Sequence, residues 1–287
     1  MQIGIVVNYS YGGLSQSAES IAEELGKLGC GTCIVTNRDV LDERRHFDFA
    51  KCVFLDKDVV CGMRLELDGT RLYNSIGAIE ACDDKRMTYE LLRRDFAVPD
   101  TVCFPLTFVD ADIEPFKKHV ISYLGFPVVA KEAYGSLGMQ VKLLNDEGEL
   151  DSYIRSHMYV PHLYQKFICS SRGRDVRVYV VGGKAVAAMS RSSRADFRSN
   201  SALGSVAERF EIPHDLAETA VSAASQLGLD FCGIDFLFGE DGQFLICEIN
   251  SNAMFSTLSQ ISGVNIAAEI ARLVAEDKAA GDIGSLF

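Results

Sequence analysis

Short apolar runs and amphipathic stretches alternate along the chain. Ile3 to Val7 is rich in β-branched residues and is bounded by Asn8 and Gly12-Gly13, which predicts a buried strand. Ser15 then caps a helix whose apolar positions Ala18, Ile21, Ala22, Leu25 and Leu28 follow helical spacing, with Gly29 as its stop. Ile34-Val35 and Cys52 to Leu55 predict further strands, so residues 1–80 read as a small open α/β lobe. The loop Tyr9 to Ser15 could bind an anion at the helix start, but it is no GxGxxG and a plain strand-to-helix turn accounts for it.

A second segment, 81–163, starts at Asp84-Lys85. Met87, Leu91 and Leu92 give a helical apolar face, closed by Val98-Pro99. Asp112 to Leu124 predicts a helix ended by Gly125, and Phe126 to Lys131 a strand. The glycine-containing turn Tyr134 to Met139 leads into a strand Gln140 to Leu144 and a helix Glu147 to Ser156. In the third segment, 164–287, Val176–Val181 and Lys184–Met189 flank Gly182-Gly183 as a hairpin. Ile212 to Leu227 predicts a helix. Gly233–Phe238 and Gln243–Ile249 flank Glu240-Asp241-Gly242 as a second hairpin, and Val264 to Ala275 is a closing helix. The tail from Lys278 to Phe287 is expected to be loose.

The chain has 287 residues, 48% hydrophobic and 24% charged, which suits a globular α/β protein of several lobes. No apolar run is long enough for a membrane helix and no signal peptide is visible, so a cytoplasmic protein without membrane contact is expected. A formal net charge of −12 argues against nucleic acid as a partner. Inside that acidic chain Arg172, Arg174, Arg177, Lys184, Arg191, Arg194 and Arg198 cluster, as a local anion site would require. The nine cysteines, an odd number without framework spacing, read as reduced thiols; the lone CxxC at Cys30–Cys33 and the five histidines lack metal-ligand spacing.

The candidate chemistry sits on the hairpins. Alternation puts Glu248 and Asn250 on one strand face, and the short hairpin brings Asp235 alongside. Carboxylates among apolar neighbours are costly unless paired or metal-bound, and Mg2+ prefers oxygen ligands. Lys131 ends an apolar strand just before the Gly135–Gly138 turn, where it could reach a phosphate, although no Walker A motif is present. Lys85 starts a helix and could add charge to the same phosphate. Asp175, Arg177 and Tyr179 share a strand face, Arg191 ends the partner strand, and Arg198-Ser199-Asn200 follows. Arginine suits planar anions such as a developing acyl phosphate; a surface ion pair is the plainer alternative for each.

Taken in order from Asn74 onward, these motifs resemble the ATP-grasp superfamily, and within it the RimK-like ribosomal-protein glutamate ligases and lysine-biosynthesis ligases. Asp196-Phe197-Arg198-Ser199-Asn200, then Gly233-Ile234-Asp235 and Glu248-Ile249-Asn250, carry most of the likeness. The resemblance implies an ATP-grasp fold: an N-terminal α/β lobe, a central lobe and a C-terminal lobe, with ATP between the last two. It implies that Lys85 and Lys131 touch phosphate, that Gly135, Ser136 and Gly138 form a mobile loop over it, and that Gln165, Lys166, Phe167 and Ile168 form the hinge whose backbone reads adenine. Asp175 becomes a nucleotide-contacting acid. Arg177, Arg191, Arg198 and Asn200 become the catalytic clamp, and Asp235, Glu248 and Asn250 the ligands of Mg2+ (or Mn2+). The implied reaction joins a carboxylate to an amine, such as the amino acid glutamate, through an acyl phosphate with release of ADP and phosphate. A kinase with the same cradle and a non-catalytic ATP-binding module are the alternatives. Dimers or tetramers are usual among relatives, with the closing helix as a candidate interface here. Related ligases often continue with Arg-Gly-Gly; this chain reads Ser201-Ala202-Leu203-Gly204-Ser205, a departure that bears on the inherited substrate and not on the ATP site.

Overall fold

The computed structural model describes residues 2–10, 12–136, 138–199 and 205–277. Three sheets organise it. The first is wholly parallel, in the order β2-β1-β3-β4, from β1 (Gln2–Val7), β2 (Gly31–Thr36), β3 (Lys51–Leu55) and β4 (Arg71–Tyr73). Its crossovers are α1 (Gly12–Lys27), the single turn α2 (Asn37–Val40) and α3 (Val59–Leu67). β1 and β3 are buried on both faces, which is why their sequences are unbroken apolar runs rather than alternating ones. In α1 the helical stripe Ala18, Ile21 and Leu25 is fully buried, while Leu28 lies past the helix end and is exposed.

Two helices, α4 (Ile76–Asp83) and α5 (Lys85–Leu92), lead out of this lobe. Their apolar side joins the core of the third sheet through Ala78, Ala81, Cys82 and Leu92. On α5 the buried face is Thr88 and Leu92, not the expected Met87, Leu91 and Leu92; Met87 and Leu91 point to solvent. The helix needs only a narrow contact here, because Thr88 Oγ1 bonds the end of α4 at the Ala81 carbonyl, 2.8 Å away.

The second sheet, order β5-β8-β6-β7, is antiparallel and comes from β5 (Thr101–Cys103), β6 (Val128–Glu132), β7 (Val141–Leu144) and β8 (His162–Lys166). Its covering helices are α6 (Glu114–Leu124) and α7 (Glu147–Ser156), the latter with the sequence-expected bounds and an Asp146 cap on Glu149 N. Val102, Val128, Ala130 and Tyr164 face these helices. By alternation Thr101, Val129, Lys131 and Gln165 face the other way, across the molecule.

The third sheet, order β11-β10-β9-β12-β13, comprises β9 (Arg174–Val181), β10 (Lys184–Ser192), β11 (Val206–Arg209), β12 (Phe231–Phe238) and β13 (Phe244–Asn250). Val176, Val178, Ile234 and Phe236 pack on α8 (His214–Gln226). The opposite face carries Tyr179 and Phe231 toward α9 (Ser256–Ser262) and α10 (Ile266–Glu276). The apolar stripe of α10, Ile266, Ala267, Ile270, Ala271 and Val274, is buried against α1 and this sheet. The apolar side of the closing helix is therefore consumed within the chain. Lys51 from β3 reinforces the join by donating to the Val274 carbonyl at 2.7 Å, satisfying an open helix-end carbonyl. Among the described residues no helix is long and apolar enough to cross a membrane.

His162 is fully buried in the second lobe, stacked on Phe104 at 4.5 Å, with Nε2 2.9 Å from the Tyr164 hydroxyl and Nδ1 2.7 Å from the Val160 carbonyl. Burial pushes its pKa down from 6.5 to about 4. The unfolded chain takes up this proton near 6.5 and the folded chain only near 4, so the contribution of the neutral ring is full above 6.5 and is lost as pH falls through that window. Between pH 7 and pH 5, urea unfolding should show wild type losing about 2 kcal/mol more stability than His162→Gln. Equal losses in the two proteins would mean that the ring titrates freely in the fold.

Candidate active site

Strand register builds the site. Asp235 in the middle of β12 is paired with Arg177 on β9 and with Glu248 on β13, so three chemistry-bearing side chains stand abreast on one face. The opposite face of the same strands is core, and this alternation fixes which way the three point. Between Asp235 and Phe236 the register of β13 slips by one residue. This bulge lets Ile246 and Ile249, three apart, both reach the core, and it turns Cys247 toward the site beside Glu248. Gly233, one row along, has no room for a side chain, because a Cβ there would lie 2.6 Å from that of Ala253.

Asp235 is nearly inaccessible and holds two guanidinium groups. Arg177 makes a two-pronged ion pair with it at 2.7 Å and 2.7 Å, and Arg191 approaches to 3.0 Å. Arg191 is itself buried and also forks onto Asp175, at 2.7 Å and 2.5 Å. Burial alone would raise the pKa of Asp235, but Arg177 and Arg191 overcome it and hold the carboxylate at about 2. Asp175 moves the other way, pushed up by burial and by the charge of Asp235.

The facing wall comes from the second sheet and from α5. Lys131 is buried, with Nζ 2.7 Å from Gln165 Oε1 and 3.5 Å from Cys247 Sγ. Lys85 is the first residue of α5, a position where a cation opposes the helix dipole. Its Nζ donates to the Gly135 carbonyl at 3.2 Å and lies 3.9 Å from Glu248. Burial lowers its pKa, against the pull of Glu248. A cation placed against both dipole and desolvation is the kind of local conflict that gathers at functional sites.

Between the walls lies a cleft with about 840 Å³ of empty space, counting the solvent at its open mouth. Lys85, Lys131, Gly135, Ser136, Gly138, Gln165, Lys166, Phe167, Ile168, Asp175, Arg198, Asp235 and Glu248 all line it. One end is ionic; the other is apolar, with Phe167, Ile168, Val129 and Leu237. Arg198 closes the rim by donating to the Gly138 carbonyl while its own fork holds Asp196 at 2.9 Å and 2.7 Å. Gly138 is thus tied across the cleft to the connection that follows β10.

The structure does not turn every expected side chain into the cleft. Arg177 and Arg191 do not line the cleft, because both turn inward to neutralise Asp235 and Asp175. Asn250 does not line it either; it pairs with Gly233, a row away from Glu248. Asn200 lies outside the described residues, as do 201–204 of the segment that departs from Arg-Gly-Gly. The Gln165 side chain is bonded to Lys131, while its backbone belongs to the expected hinge. Arg174, a member of the basic cluster, lines the cleft, as do Cys247, Phe197 and Ser199, which had been given no role there. The bulge hid Cys247; Phe197 and Ser199 could have been found as flanks of Arg198.

The donor set suits a nucleotide with Mg2+. Among the described residues no cluster of three His, Cys, Asp or Glu could hold a metal alone. One or two carboxylates are enough when phosphate and water supply the rest, and Glu248, whose one ion pair is the 3.9 Å contact to Lys85, is the carboxylate with free lone pairs.

A model of the RimK-like ATP-grasp domain matches residues 82–274. An uncharacterized protein of Mycoplasma pneumoniae is 30% identical, with 91% of this chain and 92% of that protein covered. N-acetylaspartylglutamate synthase A of Homo sapiens is 34% identical over 75% of this chain, and the chain spans 55% of that protein's length. A crystal structure of a RimK domain ATP-grasp protein from Sphaerobacter thermophilus superposes with a TM-score of 0.74 at 19% identity, covering 96% of this chain and 99% of that one.

Breaking the buried ion-pair network should damage the fold, whereas altering Glu248 should not. Arg191→Met strands Asp175 and Asp235 with a single guanidinium, and urea unfolding should show a loss of about 3–5 kcal/mol. Glu248→Gln should stay within about 0.5 kcal/mol of wild type. Equal stability of Arg191→Met and wild type would show that the network carries no fold energy.

Proposed function

Since the chain belongs to the RimK-like ATP-grasp family of carboxylate–amine ligases, we propose that it uses ATP to join glutamate, through its amine, to a small acidic carboxylic acid. The observation that carries this reading is the meeting in one cleft of two lysines, the buried Lys131 and the half-buried Lys85, with the Asp235–Glu248 pair of the third sheet. Glutamate and the acidic acid come from the relative named for N-acetylaspartylglutamate, a product in which both parts are acidic.

In this reading Lys85 and Lys131 contact the triphosphate, the hinge backbone at Lys166–Ile168 reads adenine, and Phe167 and Leu237 enclose it. Glu248 and Asp235 would hold Mg2+, with Asn250 at the end of the same strand; the ion supplies charge that neutralises the phosphates. Arg177 and Arg191 act behind Asp235, keeping it ionised and fixed. The loop Gly135–Gly138, tied by Arg198, excludes water, so that the fixed charges act in a low-dielectric space. A carboxylate oxygen of the acid attacks the γ-phosphorus, and ADP leaves with the bridging oxygen. The glutamate nitrogen then attacks the acyl carbon, loses a proton and expels phosphate. Positioning and charge neutralisation are the protein's contribution, as in other phosphoryl transfers.

The test is a panel of di- and tricarboxylic acids offered with ATP, Mg2+ and single amino acids, read by ADP release and product mass. A new amide with free phosphate is expected. A stable phosphorylated acid would make the protein a kinase, and no ADP with any pair would make it a binding module. Glu248→Ala should lower ADP formation on the order of 100-fold or more while the unfolding midpoint is kept. Normal turnover in that variant would remove Glu248 from the metal site.

A further inference from the structure

We infer that Gln165 is a positioning residue for Lys131, the near end of a buried polar relay that presets the lysine ammonium at the floor of the cleft. The inference rests on the reading of Lys131 as a phosphate contact. Four groups make the relay. Lys131 Nζ donates to Gln165 Oε1 at 2.7 Å, Gln165 Nε2 donates to Thr101 Oγ1 at 3.0 Å, and Thr101 Oγ1 donates to the Pro99 carbonyl at 2.9 Å. Lys131, Gln165 and Thr101 are each more than nine-tenths buried.

The order of donors and acceptors leaves no freedom. An ammonium only donates, so it takes the carboxamide oxygen. The NH2 must then face Thr101, whose single hydroxyl hydrogen is already given to Pro99, leaving a lone pair to accept. Turning the carboxamide over would set NH2 against NH3+ and leave the Thr101 lone pair without a donor. The register makes the same point from the backbone. Gln165 is directly opposite Thr101 on β5 and opposite Val129 on β6, two residues from Lys131, so the side chain bridges a neighbour and a diagonal on one sheet face. A flexible four-carbon lysine stem otherwise loses considerable freedom when it grips a ligand, and anchoring it beforehand removes that cost.

This assigns the Gln165 side chain to the phosphate end of the site, while the backbone of Gln165-Lys166-Phe167-Ile168 would serve the adenine hinge. The two assignments give different ligand dependences. Affinities for MgATP and for adenosine, which has no phosphate, would be measured by calorimetry on wild type, Gln165→Met, Lys131→Met and the double variant. Gln165→Met should weaken MgATP about ten-fold, the worth of one hydrogen bond to a charged group, and leave adenosine unchanged. In the Lys131→Met background the same change should have no further effect on MgATP. Thr101→Val, which keeps shape at the far end of the relay, should repeat the pattern more weakly and serves if Gln165→Met fails to fold. An equal loss for adenosine and MgATP, unchanged or tighter MgATP binding, or additive losses in the double variant would overturn the proposal. Normal MgATP binding by Lys131→Met would instead overturn the phosphate reading of the site itself.

Discussion

The buried carboxylate of Asp235 holds two guanidinium groups, Arg177 from the neighbouring strand and Arg191 from the next strand beyond it. A charge this deep in a sheet is tolerable only with partners, and here the partners are fixed by strand register. The same register puts Glu248 on the other side of Asp235. One constraint therefore orients the acidic wall of the cleft, keeps its inner carboxylate ionised, and leaves its outer carboxylate free for chemistry.

The opposite wall solves the converse problem. Lys131, inside a strand, is a buried cation, and Lys85, at the start of a helix, is a half-buried one. Each is held by neutral acceptors: carbonyls of the glycine loop for Lys85 and the Gln165 carboxamide for Lys131. Neutral partners satisfy the ammonium hydrogens without cancelling the charge, so the wall keeps its attraction for an anion. In a chain of net charge −12 this contrast between walls, not the overall balance, sets what the cleft attracts.

How much could be read along the chain varies with the kind of residue. The hairpin alternation gave Asp235 and Glu248 a shared face, and the register bears that out. The apolar stripe of α1 and the bounds of α7 were equally plain, because periodicity and capping are local. Met87 and Leu91 misled, since helical spacing alone does not say which stripe meets a core. The partners of Arg177 and Arg191 were not legible for a related reason: an arginine on a strand face serves a ligand or a neighbouring acid alike, and the choice depends on which strand lies beside it. Cys247 was hidden by a bulge, a feature of the pairing between two strands.

The sequence by itself determined the alternation of strands and helices, the residue types of the site, and their order, since these follow from periodicity, turn chemistry and motif spacing. Only the tertiary structure decided that the closing helix is spent inside the chain, that two of the arginines turn inward to Asp235 and Asp175, and that Gln165 holds Lys131. These are choices among partners, and a side chain's partner is fixed by what packs against it, which no single stretch of sequence contains.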